Sequence, residues 1–199
     1  TIILSSILPD IGGGAPPDGL LVDGGGRHIT ISGNNSTQIL RTASGFNVEL
    51  RSLTITRGFG ILGGAIQAGS LKIVDSVVSD SVATENGGAI YCGGPGLTIV
   101  NSAIIGNVAE QDGGGIYCHN FVVLDSTIAN NTAVGDSVNY GRGGGIYVPA
   151  GAAELRNSTL TRNSASNGAG LYATRATLAI TNSTISGNVT NREGGGIAN

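Results

Sequence analysis

Apolar and polar positions alternate with a period of two in short runs along most of this chain. Leu71-x-Ile73, Leu97-x-Ile99, Phe121-x-Val123 and Leu178-x-Ile180 are the clearest, with Leu155 holding the place in one copy. A period of two predicts β-strands. Each run ends in an Asx-Ser pair, at Asp75, Asn101, Asp125, Asn157 and Asn182. Three residues later a further strand carries Val78, Ile104, Ile128, Leu160 and Ile185, closing at Ser81, Asn107, Asn131, Asn163 and Asn188. Ahead of each run stands Gly-Gly-(Ala/Gly)-Ile, ending at Ile66, Ile90, Ile116, Ile146 and Ile197, with a looser copy ending at Leu171. The steps between these residues are 24, 26, 30, 25 and 26.

A fixed period with three short strands per copy predicts a solenoid. The connections are not two-residue Asn-Gly hairpin turns, so like strands are expected to pair in parallel, about 4.8 Å apart. The fold class is then all-β: a right-handed, three-strand-per-coil parallel β-helix of about 25 residues per coil, the handedness following the rule for parallel crossovers. The Asx residues are expected to form hydrogen-bonded corner ladders, since they tolerate left-handed backbone, and the paired glycines to serve the third corner. We read residues 1–199 as a single domain, with degenerate coils over 1–60 and regular repeats over 61–199. About eight coils would make a rod of roughly 40 Å. Gly12–Asp18, with Pro16-Pro17, reads as a loop.

Composition narrows the alternatives. Glycine supplies 35 of 199 residues and charged residues only 12%. That argues against helices, where glycine costs about 1 kcal/mol per position. Collagen is excluded by the lack of a three-residue period, and a flexible linker by a 40% hydrophobic content. The net charge is −3, without the basic patch that nucleic-acid binding needs. No apolar run is long enough for a transmembrane helix. The chain opens at Thr1 in a strand-like run and stops at Ile197-Ala198-Asn199, the start of another copy. We therefore expect a piece of a longer protein, or a rod that self-associates end to end through unpaired edges.

The Gly-Gly-Ala-Ile copies, paired with Ile104-x-x-Asn107, Ile128-x-x-Asn131, Leu160-x-x-Asn163 and Ile185-x-x-Asn188, resemble the repeats of polymorphic outer-membrane proteins and related bacterial right-handed β-helix surface proteins. In that family the second tetrapeptide usually begins with Phe, whereas here it begins with Ile or Leu. The stretch Val22–Asn34 also looks like the segment that precedes such repeats. The resemblance covers most of the chain. It implies an extracellular or cell-surface protein, some members being adhesins, and carries no catalytic residue over.

Candidate chemistry sits at positions the repeat brings together. Tyr91, Tyr117, Tyr147 and Tyr172 each follow the repeat Ile or Leu, which predicts an outward ladder of rings. Such a ladder could bind sugars or merely stabilise the sheet. Cys92 and Cys118 share one inward position on successive coils, so either a disulfide or two buried thiols is expected. The nine-residue insertion Val134–Arg142 carries Asp136, Tyr140 and Arg142 as candidate binding residues, because long loops on rigid solenoids often hold function. Glu85, Glu110, Asp112 and Glu193 could form an acidic stripe able to take Ca²⁺, and no other cofactor is expected. His28 and His119 read as surface or structural residues, a zinc site lacking a fourth ligand. Thr54/Thr56, Thr159/Thr161 and Thr184/Ser186 give a hydroxyl-rich face, interrupted by Val77, Ala103 and Ile105.

The expected function is a structural or adhesive surface solenoid, a fibre segment whose partners are other copies or host and matrix glycans or proteins. A carbohydrate-binding module and a polysaccharide lyase or hydrolase are the alternatives. For the enzyme, Asp75 and Asp125 share a corner but are separated by Asn101, and no acid, base and cation cluster together.

Overall fold

The computed structural model describes residues 1–8, 19–27, 29–43, 45–135 and 141–199. The Gly12–Asp18 loop, His28, Asp136 and Tyr140 lie outside them. Within the described residues there is no helix, and every strand pairing is parallel. The strands wind through three sheets in turn, as the repeat predicts.

The first sheet has eight strands, running from Ile2–Ile3 through Ile29–Ser32, Leu53–Thr56 and Val77–Ser79 to Thr184–Ser186. Eight rungs make about seven turns of the rod. Its inward column is Ile55, Val78, Ile104, Ile128, Leu160 and Ile185, each in register with the next.

The second sheet is the longest, and here the strand boundaries differ from the expectation. The Gly-Gly-x-Ile strand and the Leu-x-Ile strand share one sheet rather than two. In two coils they fuse into a continuous strand, Ile66–Val74 and Ile90–Val100. The register between those two strands shifts once, between Cys92 and Gly96, where Gly93-Gly94-Pro95 adds length to the second coil.

The third sheet falls between the Ser or Asn corner and the Gly-Gly pair, where the alternation predicts no strand. It has six strands, among them Val82–Ala83, Val108–Ala109 and Thr132–Ala133, which follow directly on the Ser81, Asn107 and Asn131 corners. Alanine fills the inward place here, Ala83 and Ala109 being fully buried. A small side chain on a two-residue strand leaves almost no periodic signal.

Between the sheets one continuous core runs through the rod, with Ile66, Ile73, Ile90, Ile99, Ile104, Ile116, Ile128 and Ile146 at most 0% exposed. Burying such a side chain stabilises by roughly 1.5–3 kcal/mol, and stacking like residues in register fills the core coil after coil. The glycine corner has two separate causes, seen at Gly87-Gly88. Gly87 has φ +71°, and a Cβ on Gly88 would fall 2.0 Å from the Gly114 carbonyl oxygen of the next coil. The first glycine answers to backbone conformation, the second to the closeness of the neighbouring chain.

Candidate functional site

The register places the four tyrosines in one column on the second sheet. Tyr91 pairs with Tyr117, Tyr117 with Tyr147, and Tyr147 with Tyr172, flanked by Gln67 and Ala198. The column is uneven. Tyr91 and Tyr117 stack at 4.9 Å between ring centroids with planes 18° apart, whereas Tyr117–Tyr147 is tilted by 55° at 5.2 Å and Tyr147–Tyr172 by 31° at 5.8 Å.

The tilt has a local cause in Arg142. Its guanidinium lies 4.7 Å from the Tyr147 ring centroid and 5.9 Å from that of Tyr172, a cation–π arrangement. Tyr147 is left only 5% exposed, so the column is not one flat outward stripe. Tyr91, Tyr117 and Tyr172 stay half-buried, and of these Tyr91 and Tyr117 are the near-parallel stacked pair. Burial raises the hydroxyl pKa of Tyr117 to about 12, with smaller contributions from its neighbouring tyrosines. Burial also raises that of Tyr147, opposed by the Arg142 charge.

Arg142 is held in turn by Asp112. The Asp112 carboxylate accepts from Arg142 Nε at 3.0 Å, from Arg142 Nη2 at 2.5 Å and from the Arg142 backbone N–H at 3.0 Å. A bidentate pair of this kind fixes geometry as well as charge, and it pushes the Arg142 pKa up. Both residues immediately precede a Gly-Gly pair, as do Asn86 and Glu193, and the Asp112 N–H bonds Asn86 Oδ1 at 3.1 Å. Aligning that position across the copies would have paired Asp112 with Arg142 from sequence. The insertion ahead of Arg142 obscured the alignment.

Asp112 is therefore engaged by a cation rather than standing free in an acidic stripe. Glu193 shares its column, with Arg142 lying between them. Among the described residues no three His, Cys, Asp or Glu side chains come together as metal ligands do.

The two Asx columns have different surroundings. Asp75, Asn101, Asp125, Asn157 and Asn182 are exposed and all left-handed, with φ between 46° and 50°. Their side chains join in pairs, Asn101 Nδ2 donating to Asp75 Oδ1 at 2.6 Å and Asn157 Nδ2 to Asp125 Oδ1 at 3.1 Å. Asn107, Asn131 and Asn163 are fully buried. Each Oδ1 accepts from the backbone N–H of the preceding coil, as in Ser81 to Asn107 and Asn107 to Asn131, both at 3.0 Å. Asn131 and Asn163 receive further amides from Asn107 and Asn131, and Asn188 continues the series to Asn163 at 2.9 Å. Asp125 is thus a corner residue whose carboxylate accepts from Asn157.

A third column escaped the sequence reading. Ser76, Ser102, Ser126, Ser158 and Ser183 follow the Asx corners and turn inward. Each hydroxyl donates to the carbonyl two residues back and accepts a backbone N–H from the preceding coil, Leu53 for Ser76 and a serine for the others, as in Ser102 N–H to Ser126 Oγ at 3.1 Å. The recurring Asx-Ser pair was the available signal.

Cys92 and Cys118 pair in register, both fully buried and both free thiols. The threonine rows are broken as expected, the outward column reading Thr54, Val77, Ala103, Thr127, Thr159 and Thr184. A shallow trough of about 410 Å³ on the second sheet, lined by Thr98, Val122, Ala152, Glu154 and Ala179, has one charged side chain, Glu154, which pairs with Arg156. No helix among the described residues is long and apolar enough to cross a membrane, which leaves membrane-spanning strands unaddressed.

Residues 125–149 match the family model of the Chlamydia polymorphic membrane protein repeat. No curated protein and no solved structure matches the chain. The matched stretch runs from the Asp125 corner, through Ile128 and the buried Asn131, to the strand Ile146–Val148, which is most of one turn of the rod. The neighbouring turns place equivalent residues in register with it, so one turn of this parallel β-helix is similar to a polymorphic membrane protein repeat.

Proposed function

We propose that this chain is part of a bacterial cell-surface β-helix with a structural and adhesive role rather than a catalytic one. The observation that carries the reading is that the family match falls on one turn of the rod, a unit that the other turns repeat. Residues with chemical potential are consumed in holding turns together: Asp112 binds Arg142, Asp125 binds Asn157, and the buried asparagines bind one another. Such a rod offers a long, rigid surface to host or matrix glycans and proteins. The test is antibody labelling of intact cells that make the protein, together with adhesion of chain-coated beads to host cells and matrix. Label removed by external protease, and adhesion blocked by soluble chain, supports the reading. Label seen only after permeabilisation, or beads that never adhere, overturns it.

One observation favours glycans among the partners. Tyr91 and Tyr117 form a stacked, half-buried pair, while the Arg142 guanidinium lies over Tyr147 and Tyr172, and aromatic rings of this kind suit sugar rings. Binding on a glycan array, abolished by Tyr117→Ala and kept in Tyr172→Ala, is the expected result.

A further inference from the structure

The chain has two cysteines, and the fold puts them at one place on adjacent coils. Cys92 and Cys118 are Cα partners in a parallel pairing, in a column that Ala68 occupies on the coil before. In-register parallel neighbours lie about 4.8 Å apart, inside the roughly 4.4–6.8 Å that a disulfide spans between Cα atoms. Both side chains leave the same face of the sheet and enter the core, where neither is exposed. Cys92 Sγ lies 3.5 Å from the Gly69 carbonyl oxygen and 3.4 Å from that of Gly96, and Cys118 Sγ lies 2.8 Å from that of Asn120.

We propose that Cys92 and Cys118 form a disulfide that staples adjacent coils, made by exchange with a low-molecular-weight disulfide while the coils are still open. The thiolate of one cysteine attacks the donor's sulfur–sulfur bond and releases one donor thiol. The second cysteine then attacks the mixed disulfide and releases the other. Two cysteine thiols and one donor disulfide become one protein disulfide and two donor thiols, the cysteine protons passing to the released thiols. The protein is oxidised and the donor reduced.

The timing follows from the site. Hydrogen bonding to Cys92 and burial both push the Cys118 thiol pKa up, and reactivity belongs to the thiolate. Once the coils close, both thiols are sealed from an oxidant in solution, and once bonded the pair is equally shielded from reductants while the coils stay closed. The bond would join residues 26 apart in sequence, restricting the open chain more than the folded one.

The experiment refolds the chain with oxidised and reduced glutathione and treats it with iodoacetamide in denaturant, before and after reduction. The expected result is no alkylation before reduction, two alkyl groups after it, and a Cys92–Cys118 cross-linked peptide on digestion. Reduction should lower the thermal midpoint by roughly 6–12 °C. The Cys92→Ala/Cys118→Ala variant keeps the size of side chain that Ala68 shows the column accepts. It should melt near the reduced protein and ignore reductant. Full alkylation before reduction, or glutathione carried on either cysteine, overturns the proposal. So does a protein that, reduced in denaturant and refolded under reductant, melts at the same temperature as its bonded form.

Discussion

Two columns of asparagine-type residues run along the same rod at the same period, and they do different work. At the corner before the first sheet, Asp75 through Asn182 stand in water with left-handed backbones. At the corner after it, Asn107 through Asn163 are sealed from water, every amide and carbonyl oxygen used between coils. The outer column is chosen for its backbone, because Asx pays less than other residues to adopt left-handed φ. The inner column is chosen for its side chain, because only a carboxamide both donates and accepts where water is absent. One residue type thus answers two physical demands a few residues apart.

The difference sets the size of the responses to mutation. Asn131→Ala removes the acceptor of the Asn107 backbone N–H and side-chain amide and the donor to the Ile104 carbonyl at 2.9 Å. Several buried groups would lose their partners at once. We expect a loss of roughly 3–5 kcal/mol in denaturant unfolding, or a rod that opens at that coil. A loss below about 1 kcal/mol would erase the distinction between the columns.

Asp125→Ala should cost about 1–2 kcal/mol, mostly for a left-handed alanine, and Asp125→Gly should stay within about 0.5 kcal/mol of the parent, since glycine adopts that conformation freely. If glycine proves as damaging as alanine, the outer column depends on its side chains after all.

The tyrosine column gives the smallest response and a pH dependence. The folded hydroxyl of Tyr117 has its pKa raised to about 12, above the roughly 10 of an unfolded tyrosine. The folded state therefore holds the proton more tightly, and this contribution to stability is complete below pH 10 and fades as pH rises toward 12. Stability should fall across that window, less steeply in Tyr117→Phe. Identical slopes in the two proteins would mean that the ring is not sheltered by its neighbours.

What the sequence disclosed follows from its repetition. Residues at one repeat position become neighbours, so the Ile104–Ile128 column, the Cys92–Cys118 pairing and the tyrosine order could be written down before any coordinates. Signals that depend on a single small side chain were lost. Ala83 and Ala109 mark a whole sheet, yet alanine suits many environments and two residues set no period. The roles of Ser102 and Ser126 were hidden because the N–H each hydroxyl accepts lies on the preceding coil and leaves no signature beside the serine. Arg142 was named as a loop residue, but its pairing with Asp112 was missed, because it closes the insertion and was grouped with that loop rather than with the position before the Gly-Gly pair. The uneven tyrosine stripe came with it, since ring tilt depends on what lies over the ring.

The parallel register has a mechanical consequence. Every inter-coil backbone hydrogen bond points along the rod, so a pull along the axis stretches these bonds head-on, and the load passes from coil to coil in series. A rod of this kind yields by unspooling one coil at a time. Successive Gly-Gly-x-Ile corners lie 24 to 30 residues apart, so each step would release roughly 80–100 Å of chain. The coil carrying the Val134–Arg142 insertion pays out most. Attached at a surface, such a rod would absorb force as a ratchet of measured lengths rather than as a single break.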